Sequence, residues 1–102
     1  MKGQNPMEII KDSIAGTLES SDVLVKISPS STREIVINSA VFKQFGKQIT
    51  RVVTETLDQL GVATGSIVIE DKGALDCIIR ARLQTAVLRA SATQELNWEK
   101  LS

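Results

Sequence analysis

The chain has 102 residues, of which 42% are hydrophobic and 24% are charged, a composition typical of one small globular domain rather than a disordered chain. Twelve Lys and Arg residues balance twelve Asp and Glu residues, so no net positive charge favours nucleic acid or an anionic membrane as partner. One cysteine and no histidine exclude a disulfide framework, disfavour a metal centre and remove the commonest general base.

Two alternating segments near the N-terminus predict a β-hairpin. The stretches "IAGTLE" at 14–19 and "VLVKI" at 23–27 each have the period of two that a half-buried strand requires. In the first stretch, this pattern places Ile14 and Leu18 on the same face as each other. Residues 20–22, two serines and an aspartate, tolerate turn geometry and are expected at the hairpin tip.

A third strand and a long helix follow. The stretch "EIVIN" at 34–38 predicts the strand, and from Ser39 apolar residues recur every three or four positions as far as Leu60. This period predicts a helix of about five turns. Asn38 or Ser39 is expected to cap its start, and Gly61 to end it. The apolar stripe consists of Phe42, Phe45, Ile49, Val52, Val53, Leu57 and Leu60.

The second half completes an α+β pattern. The stretch "SIVIE" at 66–70 predicts a fourth strand, and a second helix is expected from about Ala74. Strands with one apolar face and two amphipathic helices favour a two-layer sandwich, in which both helices cover one face of a mainly antiparallel sheet of roughly four strands. The element order is β-β-β-α-β-α. The stripe of the second helix consists of Leu75, Ile78, Ile79, Leu83, Ala86, Val87 and Ala90.

The sequence predicts a single domain. We expect this domain at residues 13–91, after a flexible lead at 1–12 and before a C-terminal tail at 92–102. The N-terminal segment contains neither a long apolar run nor a small-residue cleavage site, which indicates a cytoplasmic protein.

The two serines of the hairpin tip allow three interpretations. As a catalytic nucleophile, Ser20 or Ser21 would need a base to remove its proton, and the chain has no histidine. As turn residues, both would simply be solvated. In the third interpretation, one hydroxyl is an attachment point, modified by a separate enzyme that supplies its own base.

Other candidates are interpreted structurally. Cys77 has no C-x-x-C partner and is expected to be a small buried hydrophobe. Trp98 either covers the core or docks on a partner. A basic set is interpreted as a solvated helix face, with an acidic partner or phosphates as the alternative. This set consists of Lys72, Arg80, Arg82 and Arg89.

Three blocks of the sequence resemble the acyl carrier protein of bacterial citrate lyase, its gamma subunit. They are "AGTLESSDVLVKI" at 15–27, "VINSAVFKQFG" at 36–46 and "DKGALDCIIRARL" at 71–83. The resemblance implies that the serine after "GTLE", Ser20, carries a phosphodiester-linked 2'-(5''-triphosphoribosyl)-3'-dephospho-coenzyme A. Ser20 is favoured over Ser21, a position where the family often has glycine.

The resemblance also implies a function. The chain would be a non-catalytic carrier subunit, loaded by a holo-carrier transferase, whose arm moves acetyl and citryl thioesters between the alpha (transferase) and beta (lyase) subunits of citrate lyase. Citrate would thereby be cleaved to acetate and oxaloacetate. Lys26, the basic residue nearest to the tip in sequence, is expected to be exposed and to favour the phosphates of the arm.

The family start falls at Met7, so residues 1–6 are interpreted as an upstream start or a cloning remnant. The residues alone leave open an alternative function, a small non-catalytic α+β module that binds another protein.

Overall fold

The computed structural model describes residues 7–91, which form the expected order of strands and helices. The elements are β1 (Ser13–Gly16), β2 (Val23–Ser28), β3 (Arg33–Ser39), α1 (Phe42–Leu60), β4 (Gly65–Asp71) and α2 (Asp76–Ser91). Residues 1–6 and the tail at 92–102, with Trp98, lie outside the described residues.

The four strands form one mixed sheet in the order β1-β2-β4-β3. The pairings of β1 with β2 and of β2 with β4 are antiparallel. The pairing of β3 with β4 is parallel, because α1 carries the chain from the end of β3 back to the start of β4. The mainly antiparallel sheet is therefore confirmed, with one parallel edge pairing.

The core lies between one face of the sheet and both helices. Alternate residues of the strands face the helices, while the other face of the sheet carries residues such as Lys26 and Val36. The two-layer α+β sandwich is confirmed. Its fully buried side chains include Val25, Ile27, Ile67 and Ile69 from the sheet and Val53, Leu57, Ile79 and Leu83 from the helices.

The phase predicted for β1 is wrong. Ile14 and Leu18 are 51% and 57% exposed, whereas Ala15 is 5% exposed and faces the core. The reason is the close packing of α2 over this strand: the Ser13 hydroxyl donates to the Ala86 carbonyl oxygen at 2.6 Å. Small residues therefore occupy the inward positions of β1, and the larger ones face outward.

The start of α1 also differs from the prediction, whereas its end agrees with it. The helix begins at Phe42, and Ser39 ends β3 instead of capping the helix. The Ser39 hydroxyl donates to Asp71 Oδ2 at 2.7 Å and accepts from the Val41 N–H at 3.1 Å. Gly61 ends α1 in the left-handed conformation, with φ of 74°, as predicted.

Three members of the predicted apolar stripes do not join the core. Phe42 and Phe45 in the first turn of α1 are 47% and 48% exposed, and Leu75, which precedes α2, is 71% exposed. The other members are buried or pack partly buried against the core. The ring of Phe42 covers Gly46, where an added Cβ would lie 2.8 Å from the ring.

Asp71 joins three elements at one end of the sheet. Its side chain is buried, and besides the Ser39 hydroxyl it accepts the backbone N–H groups of Gly73 at 3.1 Å and Ala74 at 2.9 Å. These bonds fix the loop between β4 and α2 against the end of β3.

The N-terminal segment contacts the domain from Met7 onward, which packs partly buried against the core. Ile9 is buried, and the N–H groups of Ile10 and Lys11 donate to the Ala90 carbonyl oxygen at 2.9 and 3.2 Å. The division of the chain into lead, domain and tail stays a prediction. Within residues 7–91, neither helix has the length and apolar character needed to cross a bilayer.

Candidate functional site

Ser20 lies in the loop that joins β1 and β2. Both Ser20 and Ser21 are exposed, so a large enzyme or a bulky group has access to either hydroxyl. The loop contacts the rest of the molecule through the backbone of Lys72, the residue that follows β4, and through the side chain of Arg82 in α2. The expected hairpin is therefore anchored to both layers of the fold.

The backbone at Ser21 forms a β-bulge. Its φ is 68°, and its N–H donates to the Lys72 carbonyl oxygen at 2.8 Å, while the Lys72 N–H donates to the Asp22 carbonyl oxygen at 2.9 Å. Two residues of the hairpin, Ser21 and Asp22, thus oppose one residue of the neighbouring segment, Lys72, with the first in the left-handed region, as in a G1 bulge. Glycine is favoured at that first position because it has no Cβ. Ser20, one residue earlier, lies outside this pairing.

A bidentate ion pair connects the loop to α2. Arg82 Nε donates to Asp22 Oδ1 at 3.1 Å, and Arg82 Nη2 donates to Asp22 Oδ2 at 2.8 Å. The Thr17 hydroxyl and the Val23 N–H also donate to this carboxylate, each at 2.7 Å. Arg82 above all, and then Thr17 and Val23, hold the pKa of Asp22 well below its usual range.

This pairing bears on the chemistry available to the serines. A carboxylate with a strongly lowered pKa binds a proton weakly, so Asp22 is a poor general base. Asp22 is also saturated with donors from Arg82, Thr17 and Val23. The geometry therefore favours an accessible serine that another enzyme activates over a nucleophile activated by this chain.

Gly16 makes the close approach of the two strands possible. Its φ is 97°, and an added Cβ would lie 1.8 Å from the Val23 carbonyl oxygen and 3.3 Å from Arg82 Cδ. No side chain fits there. Gly16 therefore allows β1 to turn into the loop while Arg82 passes beneath to reach Asp22.

The structure reassigns several residues singled out in the sequence. Arg82 and Arg89 are not simply solvated: Arg82 pairs with Asp22, and Arg89 Nη1 donates to the Ile14 carbonyl oxygen at 2.7 Å. Lys26 is exposed, as expected, but it lies on the outer face of the sheet between Ile14 and Val68.

The structure also changes the interpretation of Lys72 and Cys77. The backbone of Lys72 pairs directly with Ser21 and Asp22, so Lys72 lies beside the loop although it is distant in sequence. Cys77 is exposed, and the prediction that it is buried is wrong, because the first turn of α2 turns this position away from the sheet.

The ion pair of Asp22 could not be recognised from the sequence. Asp22 and Arg82 are 60 positions apart, and a helical arginine beside an apolar stripe is typical of a solvated face. The sequence contains one indication of the bulge, the Ser-Ser-Asp turn that precedes the alternating strand at 23–27.

A Ser21→Gly variant is expected to be more stable than the wild type by about 0.5–1 kcal/mol in free energy of unfolding, since glycine adopts a positive φ without the Cβ penalty. Urea denaturation measures this difference. The matched control is Ser20→Gly, at a position without a positive φ, which should bring no gain. A Ser21→Gly protein less stable than the wild type would contradict the bulge.

Acid is expected to remove the contribution of Asp22 to stability. The folded-state pKa is lowered from 3.8, so the contribution is present above this pH and is lost as the pH falls towards the folded-state value. The free energy of unfolding, measured in urea between about pH 7 and about pH 2, should therefore fall more steeply for the wild type than for Asp22→Asn. An Asp12→Asn control, at an exposed position, should follow the wild type. A gap between wild type and Asp22→Asn that stays constant with pH would refute the role of the ion pair.

Sequence comparisons relate the chain to acyl carrier proteins. A family model described as acyl carrier protein, malonate decarboxylase delta subunit, matches residues 10–90. The citrate lyase acyl carrier protein of Pectobacterium atrosepticum is 59% identical over 96 residues, covering 93% of this chain and 100% of the relative. The protein of the same name from Haemophilus ducreyi is 56% identical over 95 residues, covering 93% of this chain and 99% of the relative.

A solved structure shares the fold. It is a chain in the crystal structure of a Pseudomonas malonate decarboxylase hetero-tetramer in complex with malonate, with a TM-score of 0.73 and 18% identity. The match covers 86% of this chain and 92% of that chain. At this identity the likeness supports the arrangement of strands and helices alone.

Proposed function

The chain belongs to the family of citrate lyase acyl carrier proteins, and from this premise we propose that it is the acyl carrier subunit of a citrate lyase and that Ser20 holds its prosthetic group. Membership of this family implies that the chain is an acyl carrier and that it holds a covalently attached prosthetic group. This role is favoured over that of a plain protein-interaction module.

The exposure of Ser20 outside the bulge supports its choice over Ser21 as the attachment residue. Ser20 presents an exposed hydroxyl on a loop. The C-terminal end of this loop is fixed by the Asp22–Arg82 ion pair and by hydrogen bonds to the backbone of Lys72. The neighbouring Ser21 is held in the bulge by its own N–H, and its position favours glycine. Ser20 is the residue at this tip that combines exposure with freedom from the bulge.

The residues around Ser20 fit the proposed 2'-(5''-triphosphoribosyl)-3'-dephospho-coenzyme A. A long nucleotide needs an attachment oxygen that no side chain encloses, and Ser20 meets this requirement. Lys72, next to the loop, is an exposed cation that would attract phosphates. When bound, the group supplies a terminal thiol for thioester chemistry.

The residues of this chain have the tasks of attachment and positioning. Ser20 Oγ would form the phosphodiester link, and the Asp22–Arg82 ion pair would hold the link at a defined place on the surface. Asp22 already accepts from Arg82, Thr17 and Val23 and is a poor general base, so the transferase that loads the carrier would take the Ser20 proton. The chain is therefore proposed to be non-catalytic by itself.

The proposed complex explains why a tethered carrier is useful. Acetyl and citryl thioesters would pass between the alpha and beta subunits at high effective concentration, without release into solution, while citrate is cleaved to acetate and oxaloacetate. The proposed location is the cytoplasm, a reducing compartment in which a free exposed cysteine such as Cys77 is ordinary.

Peptide mass spectrometry of the carrier tests this proposal. The protein is purified from cells that ferment citrate, digested and fragmented, and the added mass is expected on Ser20 and not on Ser21. An unmodified Ser20 in a fully active complex would overturn the assignment. Recombinant carrier made without the cofactor-synthesis enzymes gives the unmodified reference mass.

A further inference from the structure

The end of the molecule that carries Ser20 also carries a second exposed surface. In the sheet, Asp71 at the end of β4 pairs with Val23 at the start of β2 and with Ser39 at the end of β3. The hairpin loop, the β4–α2 loop and the start of α1 therefore leave the sheet at the same end. A partner that receives a group from Ser20 would meet this end first.

Large apolar side chains are exposed at this end. Phe42 and Phe45 project from the first turn of α1, and Leu75 projects from the β4–α2 loop. A groove of about 740 Å³ runs along α1, lined in part by Phe42, Lys43 and Lys47. Exposed apolar groups around a groove are typical of a binding surface.

The charges of α1 point to the kind of partner. Residues 42–54 contain Lys43, Lys47 and Arg51, all exposed, and no acidic residue, whereas Glu55 follows them towards the C-terminus. Basic residues therefore lie towards the N-terminal end of α1, where the helix dipole favours acidic residues. Helix stability therefore does not account for the three cations.

These cations also have no ion-pair partner within residues 7–91, where the ion pairs of the structure are Arg33–Asp58 and Arg82–Asp22. They are free to meet carboxylates of another protein. The surface, here named the α1 docking face, consists of Phe42, Lys43, Lys47 and Arg51, which line one groove on the same side of the helix.

We propose that the α1 docking face binds an acidic surface of the enzyme subunit that acts on the carried group, with an apolar side chain of that subunit in the groove beside Phe42. The inference rests on the proposed carrier function, because it assigns the surface by its position beside Ser20. A second copy of the chain would bring two basic faces together, and a nucleic acid would offer no aliphatic side chain to the groove.

Binding of the unmodified full-length carrier to purified citrate lyase alpha and beta subunits from the same organism tests the docking face. Isothermal titration compares the wild type with a Lys43→Glu/Lys47→Glu variant. The expected result is a Kd about tenfold higher or more for at least one subunit, with a weaker dependence on salt. The matched control, Lys11→Glu/Lys26→Glu, has the same change in net charge at exposed positions elsewhere and should bind like the wild type.

A Phe42→Ser variant tests the apolar part and should also weaken binding. Its far-UV circular dichroism spectrum should stay that of the wild type, since the side chain is half exposed at the start of α1. Equal binding by the α1 variant and its control, or no binding of the wild type to either subunit, would overturn the docking face. The proposed function is judged separately, by the mass on Ser20 of the native carrier.

Discussion

A Ser20→Ala carrier is expected to fold, to assemble with its partner subunits and to support no citrate cleavage. The hydroxyl is exposed, so its removal should leave the free energy of unfolding nearly unchanged. Without the attachment oxygen, the thioester has no tether, and the whole advantage of effective concentration is lost. Citrate turnover by the reconstituted complex, together with the intact mass of the carrier, measures both effects.

Ser21→Gly is the matched variant for this experiment. It removes the neighbouring hydroxyl and relieves the positive φ of the bulge, so the arm and full turnover should both be retained. If Ser21→Gly lost the arm while the Ser20→Ala complex stayed active, Ser21 and not Ser20 would be the attachment residue. A Ser20→Ala complex that cleaves citrate with an unmodified carrier would contradict the carrier function itself.

A Gly16→Ala substitution is expected to have the largest effect on stability, with a loss of about 2 kcal/mol or more in free energy of unfolding. The new Cβ would overlap the Val23 carbonyl oxygen, which belongs to the backbone and does not move without breaking the pairing of β1 with β2. The displacement would also disturb Arg82 beneath the loop. Urea denaturation measures the loss.

Gly73→Ala is the control for the backbone conformation. Gly73 has a φ of 92°, close to that of Gly16, but an added Cβ would meet no atom within 4 Å. The variant should therefore lose only the cost of the left-handed conformation, about 1 kcal/mol. Equal losses for Gly16→Ala and Gly73→Ala would show that the overlap with Val23 is unimportant.

Local patterns predicted the elements and their order because each element has its own period. The alternation at 23–27 and the spacing of three and four along α1 both identify side chains that face a single core. The pattern was misleading at the ends of elements. Phe42 and Leu75 continue the apolar spacing of their helices, but both lie beyond the covered part of the sheet and are exposed.

Contacts between distant parts of the chain could not be predicted in this way. The parallel pairing of β3 with β4 depends on where α1 packs, which no single segment encodes. Ser20 was selected through a resemblance to a family, whereas the bulge at Ser21 and the ion pair of Asp22 were visible only in the assembled structure. Their partners, Lys72 and Arg82, belong to the last third of the chain.

The order of synthesis gives the ion pair of Asp22 a consequence for the cell. A ribosome makes Ser20 early and Arg82 only near the end, so a growing chain has the serine long before it has the helix that fixes the loop. A loading enzyme that recognises the fixed loop would ignore incomplete or truncated chains. The proposed nucleotide would then be attached only to carriers in which α2 has packed on the sheet.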